Sequence, residues 1–392
     1  MFKTAIKESK DVTYFYDRNR FLEKYKQFSK VGKVYYPIKT CSNPFVIKSL
    51  VELDSCFEVD SIEHMKLLVD TYNVSPSKIL YNNVFRTEED VRVAAAYGIR
   101  TFAVKSITQL HSVQGAIGAE EATYLIRINM SDFFENLDFS TKRFGTTLNS
   151  FSNLLDAIDR NHNKVGISFH TSNIEGLAKG IARENGIATI INGISSYLKV
   201  KGETIDILDI GGGHSLSDFH SIELADAIDR FKKEQKTKII IESGTGLVAD
   251  CFDEEARIID VVEDAEYIES LGRKQAITGI CMAQGIFSGL LDYVLMKKEY
   301  QFELRENNDS KSTVALEPFR GTLNLGNKLI YLFGPTQAQE DNFGYYQVPS
   351  DTYTTITSTI VIKNVGAYNE SLTTNFLGGI TSESKVVRKS YK

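Results

Sequence analysis

The chain has 392 residues, 42% of them apolar and 24% charged, with a formal net charge of −6. That is enough chain for two domains with sizeable cores, at the composition of an ordinary globular protein. The acidic balance argues against a nucleic-acid polymer as partner, because such surfaces are basic. Cys41, Cys56, Cys251 and Cys281 show no paired spacing and the six histidines no ligand-like cluster, so free thiols and no metal site are expected.

The opening segment, MFKTAIKESKDV, lacks the apolar run of a secretory signal and reads as cytoplasmic. DVTYFYD then has the texture of a strand. From Val34 to Gly244, short apolar runs alternate with helix-like stretches. The runs are VYYPIK (34–39), CFEV (56–59), KILYNN (78–83), RTFAVK (100–105), ATYLIRIN (122–129), KVGISFH (164–170), IDILDI (205–210) and KIIIES (238–243). They are mostly apolar on both faces, as buried parallel strands are. Several intervening helices start at plausible caps, such as Asn43-Pro44, Ser61 and Thr87-Glu88. Eight strand–helix repeats predict an α/β fold, a (β/α)8 barrel over 34–249, with a doubly wound open sheet as the alternative.

After residue 250 helical periodicity fades. FDEEARIIDVVEDAEYI, QAITGICM, STVALEP, KLIYLFGP and YTTITSTIVIKNVGAY read as strands. They predict a mostly antiparallel β domain from 250–392, with 1–33 adding to it. The most apolar long stretch, Ala276–Met296, carries Gln284, Asp292 and three glycines, so it reads as strands and turns, not a membrane span. The polar tail SESKVVRKSYK reads as a linker or a frayed end.

Barrels gather functional side chains at the C-terminal ends of their strands. Lys39 ends the first run, Arg127 lies near the end of the fifth, and His170 ends the sixth. Gly211, Gly212 and Gly213 follow the seventh, and Glu242 ends the eighth. A lysine can hold an aldehyde as a Schiff base. Glycine amides can hold a phosphate. An acid can hold a pyridinium nitrogen. Each signal alone is weak, since a strand-end lysine is usually solvated and a glycine triplet often serves only a turn. Together they point to pyridoxal 5'-phosphate (PLP).

Seven segments, in order, carry a family resemblance: YYPIKTCSNP, CFEVDSIEHMKLL, ISFHTSN, LDIGGGH, IIIESG, FGPTQAQED and VGAYNESLTTNFLGG. The chain resembles the fold-type III PLP-dependent decarboxylases, the family of ornithine, diaminopimelate and biosynthetic arginine decarboxylases. The resemblance implies that Lys39 binds the cofactor aldehyde, Glu242 holds the ring nitrogen and His170 packs on the ring. It implies that Gly211, Gly212, Gly213, Gly244 and Tyr368 hold the phosphate, with Arg127 nearby and Glu58 and Asn83 lining the same face. Asp292, Gln337, Asp341 and Phe376 fall where the family binds substrate. It also implies a homodimer whose active sites are shared, with residues around 334–341 crossing the interface.

The chain departs from the family at three places. Gln337 and Ala338 stand where the family has a proton-donating cysteine and an acid, and Thr245 stands where it has a phosphate-binding arginine. The carbanion would then be protonated by Lys39, Cys281, Tyr368 or water. The changed pocket suggests an amino-acid group carried on a larger intermediate, as in the decarboxylase part of a microcin C-type antibiotic maturation enzyme, where a peptide–nucleotide's 3-amino-3-carboxypropyl group becomes aminopropyl. Two alternatives stay open. One is a catalytically inactive homologue with a binding or regulatory role; the other is an amino-acid racemase.

Overall fold

The computed structural model describes residues 11–83, 85–134, 143–171, 182–287, 290, 299–306 and 313–369, and the backbone of 385–388. The chain divides into two compact units, 22–247 and 1–21 with 248–392. Strand β1 (Val12–Tyr16) and helix α1 (Arg18–Val31) lead into the first of them.

That unit is a closed barrel of eight parallel strands: β2 (Lys33–Pro37), β3 (Cys56–Val59), β4 (Ile79–Tyr81), β5 (Thr101–Val104), β6 (Thr123–Arg127), β7 (Lys164–Ser168), β8 (Ile207–Asp209) and β9 (Lys238–Ile241). Each strand pairs with the next. The ring closes where Lys33 and Val34 pair with Ile240 and Ile241, which excludes the open sheet. Helices α2 (Pro44–Glu52), α3 (Ile62–Lys66), α4 (Glu88–Ala96), α5 (Ile107–Ile117), α6 (Leu148–Asp156), α7 (Arg183–Lys201) and α8 (Ile222–Gln235) connect the strands. Most begin at a side-chain cap. The Asn43 carboxamide accepts from Phe45 N–H at 3.0 Å, and Thr87 and Asp90 cap α4 reciprocally. After β3 and β5 the capped helix starts three residues beyond the strand's last residue, whereas the connections after β6, β7 and β8 are long.

The barrel interior holds Tyr35, Cys56, Leu80, Leu125 and Ile240, with Ile207 packed against them. Gly166 on β7 makes room, since a Cβ there would lie 2.5 Å from Leu125 Cδ2. Several strands are shorter than their apolar runs. β2 stops at Pro37, whose nitrogen has no hydrogen to continue the ladder, and Lys39 occupies the single helical turn Ile38–Thr40 that follows.

The second unit is one nine-stranded, mostly antiparallel sheet. Its further strands are β10 (Phe252–Ile268), β11 (Arg273–Met282), β12 (Gln301–Arg305), β13 (Thr313–Pro318), β14 (Asn327–Phe333), β15 (Asn342–Pro349), β16 (Thr359–Lys363) and β17 (Lys385–Arg388). The order is β11-β14-β15-β13-β12-β16-β10-β1-β17, and β11 also pairs with β10. β1 pairs antiparallel with β10 and parallel with β17. The tail is therefore not all frayed: Lys385–Arg388 covers the edge of β1, whose backbone groups would otherwise lack partners.

Candidate active site

The C-terminal ends of the barrel strands bring the predicted polar residues onto one face. Lys39 Nζ lies 3.3 Å from Glu58 Oε1 and 3.6 Å from Asp60 Oδ2, and its side chain is 39% exposed. Glu58, the last residue but one of β3, is fully buried. Burial pushes its carboxyl up to about 7, aided by the charges of Glu242 and Asp60 and opposed by Lys39. Asp60 behaves oppositely. Burial favours its proton, but the hydrogen bond from His64 (3.1 Å) and the Lys39 charge hold its carboxyl low.

Glu242 follows β9 and is also buried. Its Oε1 accepts from Asn82 Nδ2 at 2.9 Å. Asn82, not Asn83, makes this reach. β4 ends at Tyr81, and the Asn83 side chain accepts from Phe85 N–H at 2.8 Å in the turn beyond. Asp209, the last residue of β8, is fully buried beside Glu242, and its Oδ2 has no hydrogen-bond partner among the described residues. Burial and the neighbouring charges of Glu242 and Glu58 raise Asp209 well above the carboxylate range. Its Oδ1 accepts from Gly211 N–H at 2.9 Å. Asp209 therefore anchors the glycine loop next to Glu242 and is driven toward its neutral form.

The glycine loop is packed too closely for side chains. Gly211 adopts φ +70°, and a Cβ there would collide with the Phe169 carbonyl oxygen. A Cβ on Gly212 would stand 2.5 Å from the Glu242 carbonyl oxygen and 3.5 Å from His170 Nε2. Glu242 N–H also donates to Gly211 O at 2.8 Å, so the loop and the β9 end form one stitched surface. Gly244, one residue beyond Ser243, lies against Thr40 Oγ1 and so touches the turn that carries Lys39.

Burial holds the His170 imidazole well below its ordinary value, aided by the charges of Arg127 and Lys39, so the ring is neutral at pH 7. Arg183, at the start of α7, donates through Nη1 to the Gly213 carbonyl oxygen. The side-chain oxygens of Thr40, Ser168 and Ser243 and Asn82 Oδ1 are buried without partners among the described residues.

Gln337, Asp341 and Tyr368 belong to the β unit. Gln337 is exposed. Asp341 is buried; its Oδ1 accepts from Ile286 N–H at 2.7 Å, and its Oδ2 accepts from Thr336 N–H and Oγ1 at 3.0 and 2.7 Å. It organises its own loop. Tyr368 has φ +57°. The Cys281 thiol is pushed up to about 11 by burial, with Asp260 and Asp341 adding to the effect. Asp292 and Phe376 lie outside the described residues. Asn82, Asp209 and Arg183 are the site residues that the sequence reading missed.

Among the described residues no helix is long and apolar enough to cross a membrane, and no group of metal-ligating side chains forms.

Residues 18–249, which include Lys39, Arg127, His170, the glycine loop and Glu242, match the family model for pyridoxal-dependent decarboxylase, pyridoxal binding domain. Antizyme inhibitor 1 of Pongo abelii is 25% identical over 292 residues, 71% of this chain and 64% of that protein. The lysine/ornithine decarboxylase of Selenomonas ruminantium is 26% identical over 204 residues, 51% of this chain and 50% of that one. The chain thus spans between half and two thirds of the length of these relatives. The crystal structure of the arginine decarboxylase of Paramecium bursaria Chlorella virus superposes with a TM-score of 0.75 at 20% identity, covering 97% of both chains, and shares the fold. With its barrel closed in this way and more than half its length matched by one family model, the chain belongs to the pyridoxal-dependent decarboxylase family.

Proposed function

We propose that the protein is a PLP-dependent decarboxylase that removes the α-carboxylate from an amino acid, or from an amino-acid group on a larger biosynthetic intermediate. One observation carries the reading. Lys39 faces Glu58 and Asp60 on the same barrel face as the glycine loop and the buried Asn82–Glu242 pair, with Asp209 beside it.

The residues fit the cofactor. Lys39 would take its aldehyde, Glu242 its ring nitrogen, and Gly211–Gly213 with Gly244 its phosphate. Thr245 brings no charge to that phosphate, but Arg183 brings one to the same loop. When bound, PLP supplies an electron-accepting ring for the electron pair left as CO2 departs. The protein supplies the rest. Glu58, titrating at about 7, sits where it can take a proton from Lys39 and leave a nucleophilic amine. The Asn82 amide fixes the Glu242 carboxylate by a hydrogen bond, with Asp209 buried beside it. The neutral His170 offers an uncharged face beside Gly212.

The larger-substrate part of the proposal, with its antibiotic-biosynthesis setting, rests on Gln337 and Ala338 replacing the family's cysteine and acid. The proposal extends to a homodimer on the family resemblance alone; sedimentation showing a fully active monomer would remove that part. A second reading has its own support. The relatives that match 71% of this chain are named antizyme inhibitors, which favours a binding role for the same fold. The deciding experiment is borohydride reduction of the PLP-incubated protein beside Lys39→Ala, followed by a CO2-release screen. Cofactor fixed to Lys39 together with CO2 release supports the enzyme. Absence of both supports the binding protein, and an inverted amino acid without CO2 would mean a racemase.

A further inference from the structure

The ends of β4, β5 and β6 carry a cluster of which only Arg127 bears on the proposed cofactor site. Lys105 directly follows β5, and its Nζ stands 4.2 Å over the Phe85 ring. The Arg143 guanidinium lies 4.5 Å over Phe144 and 5.6 Å from the Phe85 ring, and the Arg127 guanidinium is 5.8 Å from Phe144. The two rings meet edge to face at 5.7 Å. Lys105 Nζ also donates to the Arg143 carbonyl oxygen at 2.8 Å, and Thr146 N–H returns the loop to Arg127 O at 2.9 Å.

Lys105 and Arg127 are held by ring faces rather than by acids. Among the described residues, neither has a carboxylate within ion-pair distance. An aromatic face positions a cation without neutralising it. Positive charge is therefore gathered here, and Lys105 is pushed below its ordinary value by burial and by Arg127 and Arg143. Behind them Arg86 donates to Asn83 O and Ala103 O, while its Nε and Nη2 are buried without partners among the described residues. Phe85 is 58% exposed, so the cluster is open to a ligand.

We propose that Lys105, Arg127 and Arg143 form an anion subsite for a phosphoryl group that the substrate carries beyond its reacting amino acid. Two guanidinium forks and one ammonium suit a doubly charged, three-oxygen anion better than a lone carboxylate. The cofactor's own phosphate is the other possible source of that chemistry. It is assigned to the glycine loop after β8 and to the end of β9, three and four strands round the ring from β5. Arg127 is the link between the two regions, since its charge acts on His170. The proposal deepens the decarboxylase reading and rests on it for the word substrate.

The test uses the PLP-loaded protein, with loading checked by borohydride fixation on Lys39. Isothermal titration with phenyl phosphate, and with phenol as the uncharged control, is run on wild type, Lys105→Glu, Lys105→Gln and Arg143→Ala. The expected result is phenyl phosphate binding that weakens with added salt and falls by about tenfold or more in Lys105→Glu, with PLP loading unchanged. Lys105→Gln, which keeps the size of the side chain, carries the test if the charge reversal fails to fold. Equal binding by wild type and both Lys105 variants, or no binding at all, overturns the subsite. Parallel loss of PLP loading in Lys105→Gln overturns it too, by assigning the cations to the cofactor. Protein that takes no PLP but binds phenyl phosphate through Lys105 sinks the decarboxylase reading and keeps the subsite.

Discussion

Replacing Glu58 by glutamine should stabilise the protein at neutral pH and leave it unchanged in acid. Glu58 is fully buried, and its carboxyl is raised from the ordinary 4.5 to about 7, first by burial. Above pH 4.5 the unfolded chain loses this proton while the native state keeps it. The native state then binds more protons, so stability falls as pH rises. The fall continues until pH passes the folded value of about 7, and is constant beyond it. A tenfold difference in proton affinity between the folded and unfolded states is worth about 1.4 kcal/mol, so the wild type gives up ~3 kcal/mol between those limits. Glutamine has no proton to lose and avoids the penalty.

The assay is thermal unfolding of the PLP-free protein at pH 4.5 and pH 8, for wild type and Glu58→Gln. For a unit the size of residues 22–247 the gain at pH 8 corresponds to ~6–12 °C, against almost nothing at pH 4.5. A difference of the same size at both pH values would refute the reasoning, because it would arise from packing and not from ionisation. Destabilisation growing with pH would refute it more strongly: the Lys39–Glu58 pair would then outweigh the burial it requires. CO2 release should fall in the same variant, so the gain in stability and the loss of function would come from one carboxyl group.

Three further outcomes are expected. Arg183→Ala should weaken PLP binding by about 1.5–3 kcal/mol in an absorbance titration, since it removes the charge beside Gly213; unchanged affinity would leave the phosphate to the amides alone. Asp209→Ala should weaken PLP binding by about 1–3 kcal/mol, while Asp209→Asn, which can still accept from Gly211 N–H, should keep most of it; equal losses in both variants would mean that the bond to the glycine loop does not matter. Gln337→Ala should raise KM with little change in kcat, and single-turnover decarboxylation slowed by orders of magnitude at unchanged affinity would contradict a pocket-shaping role.

The barrel, and the position of the candidate residues at its strand ends, were legible because strand ends are punctuated in the sequence. Lys39, the glycine triplet and Glu242 each interrupt an apolar run at the point where the chain leaves the sheet. What was missed depends on geometry that leaves no local mark. Asn82 and Asn83 are adjacent and chemically identical, and only the end of β4 at Tyr81 decides which one reaches Glu242. Asp209 is embedded in the apolar run IDILDI, where the sequence alone gives no hint of a second carboxylate against it. Arg183 lies 30 residues before the loop it touches. β17 pairs with β1 from the far end of the chain, so its polar residues suggested a free tail.

Apart from Lys39 among the acids and Arg183 at the glycine loop, the described face of the barrel is electrostatically divided. Glu58, Asp60, Asp209 and Glu242 sit at the ends of β3, β8 and β9, and Arg86, Lys105, Arg127 and Arg143 at or just beyond the ends of β4, β5 and β6. Neither half is arranged for stability. Glu58 and Asp209 are driven toward their neutral forms, and so is Lys105. A scaffold with no ligand gains nothing from segregated charges, whereas interleaving them would relieve all three groups. A cationic ring nitrogen meeting the acids, and an anion meeting the cations, would each stabilise the native state in proportion to its binding. PLP and phenyl phosphate should therefore raise the unfolding temperature additively, because their charges act on different halves of the face. Mutual exclusion of the two would place both anions in one pocket, and the division would then have to be explained without a second ligand.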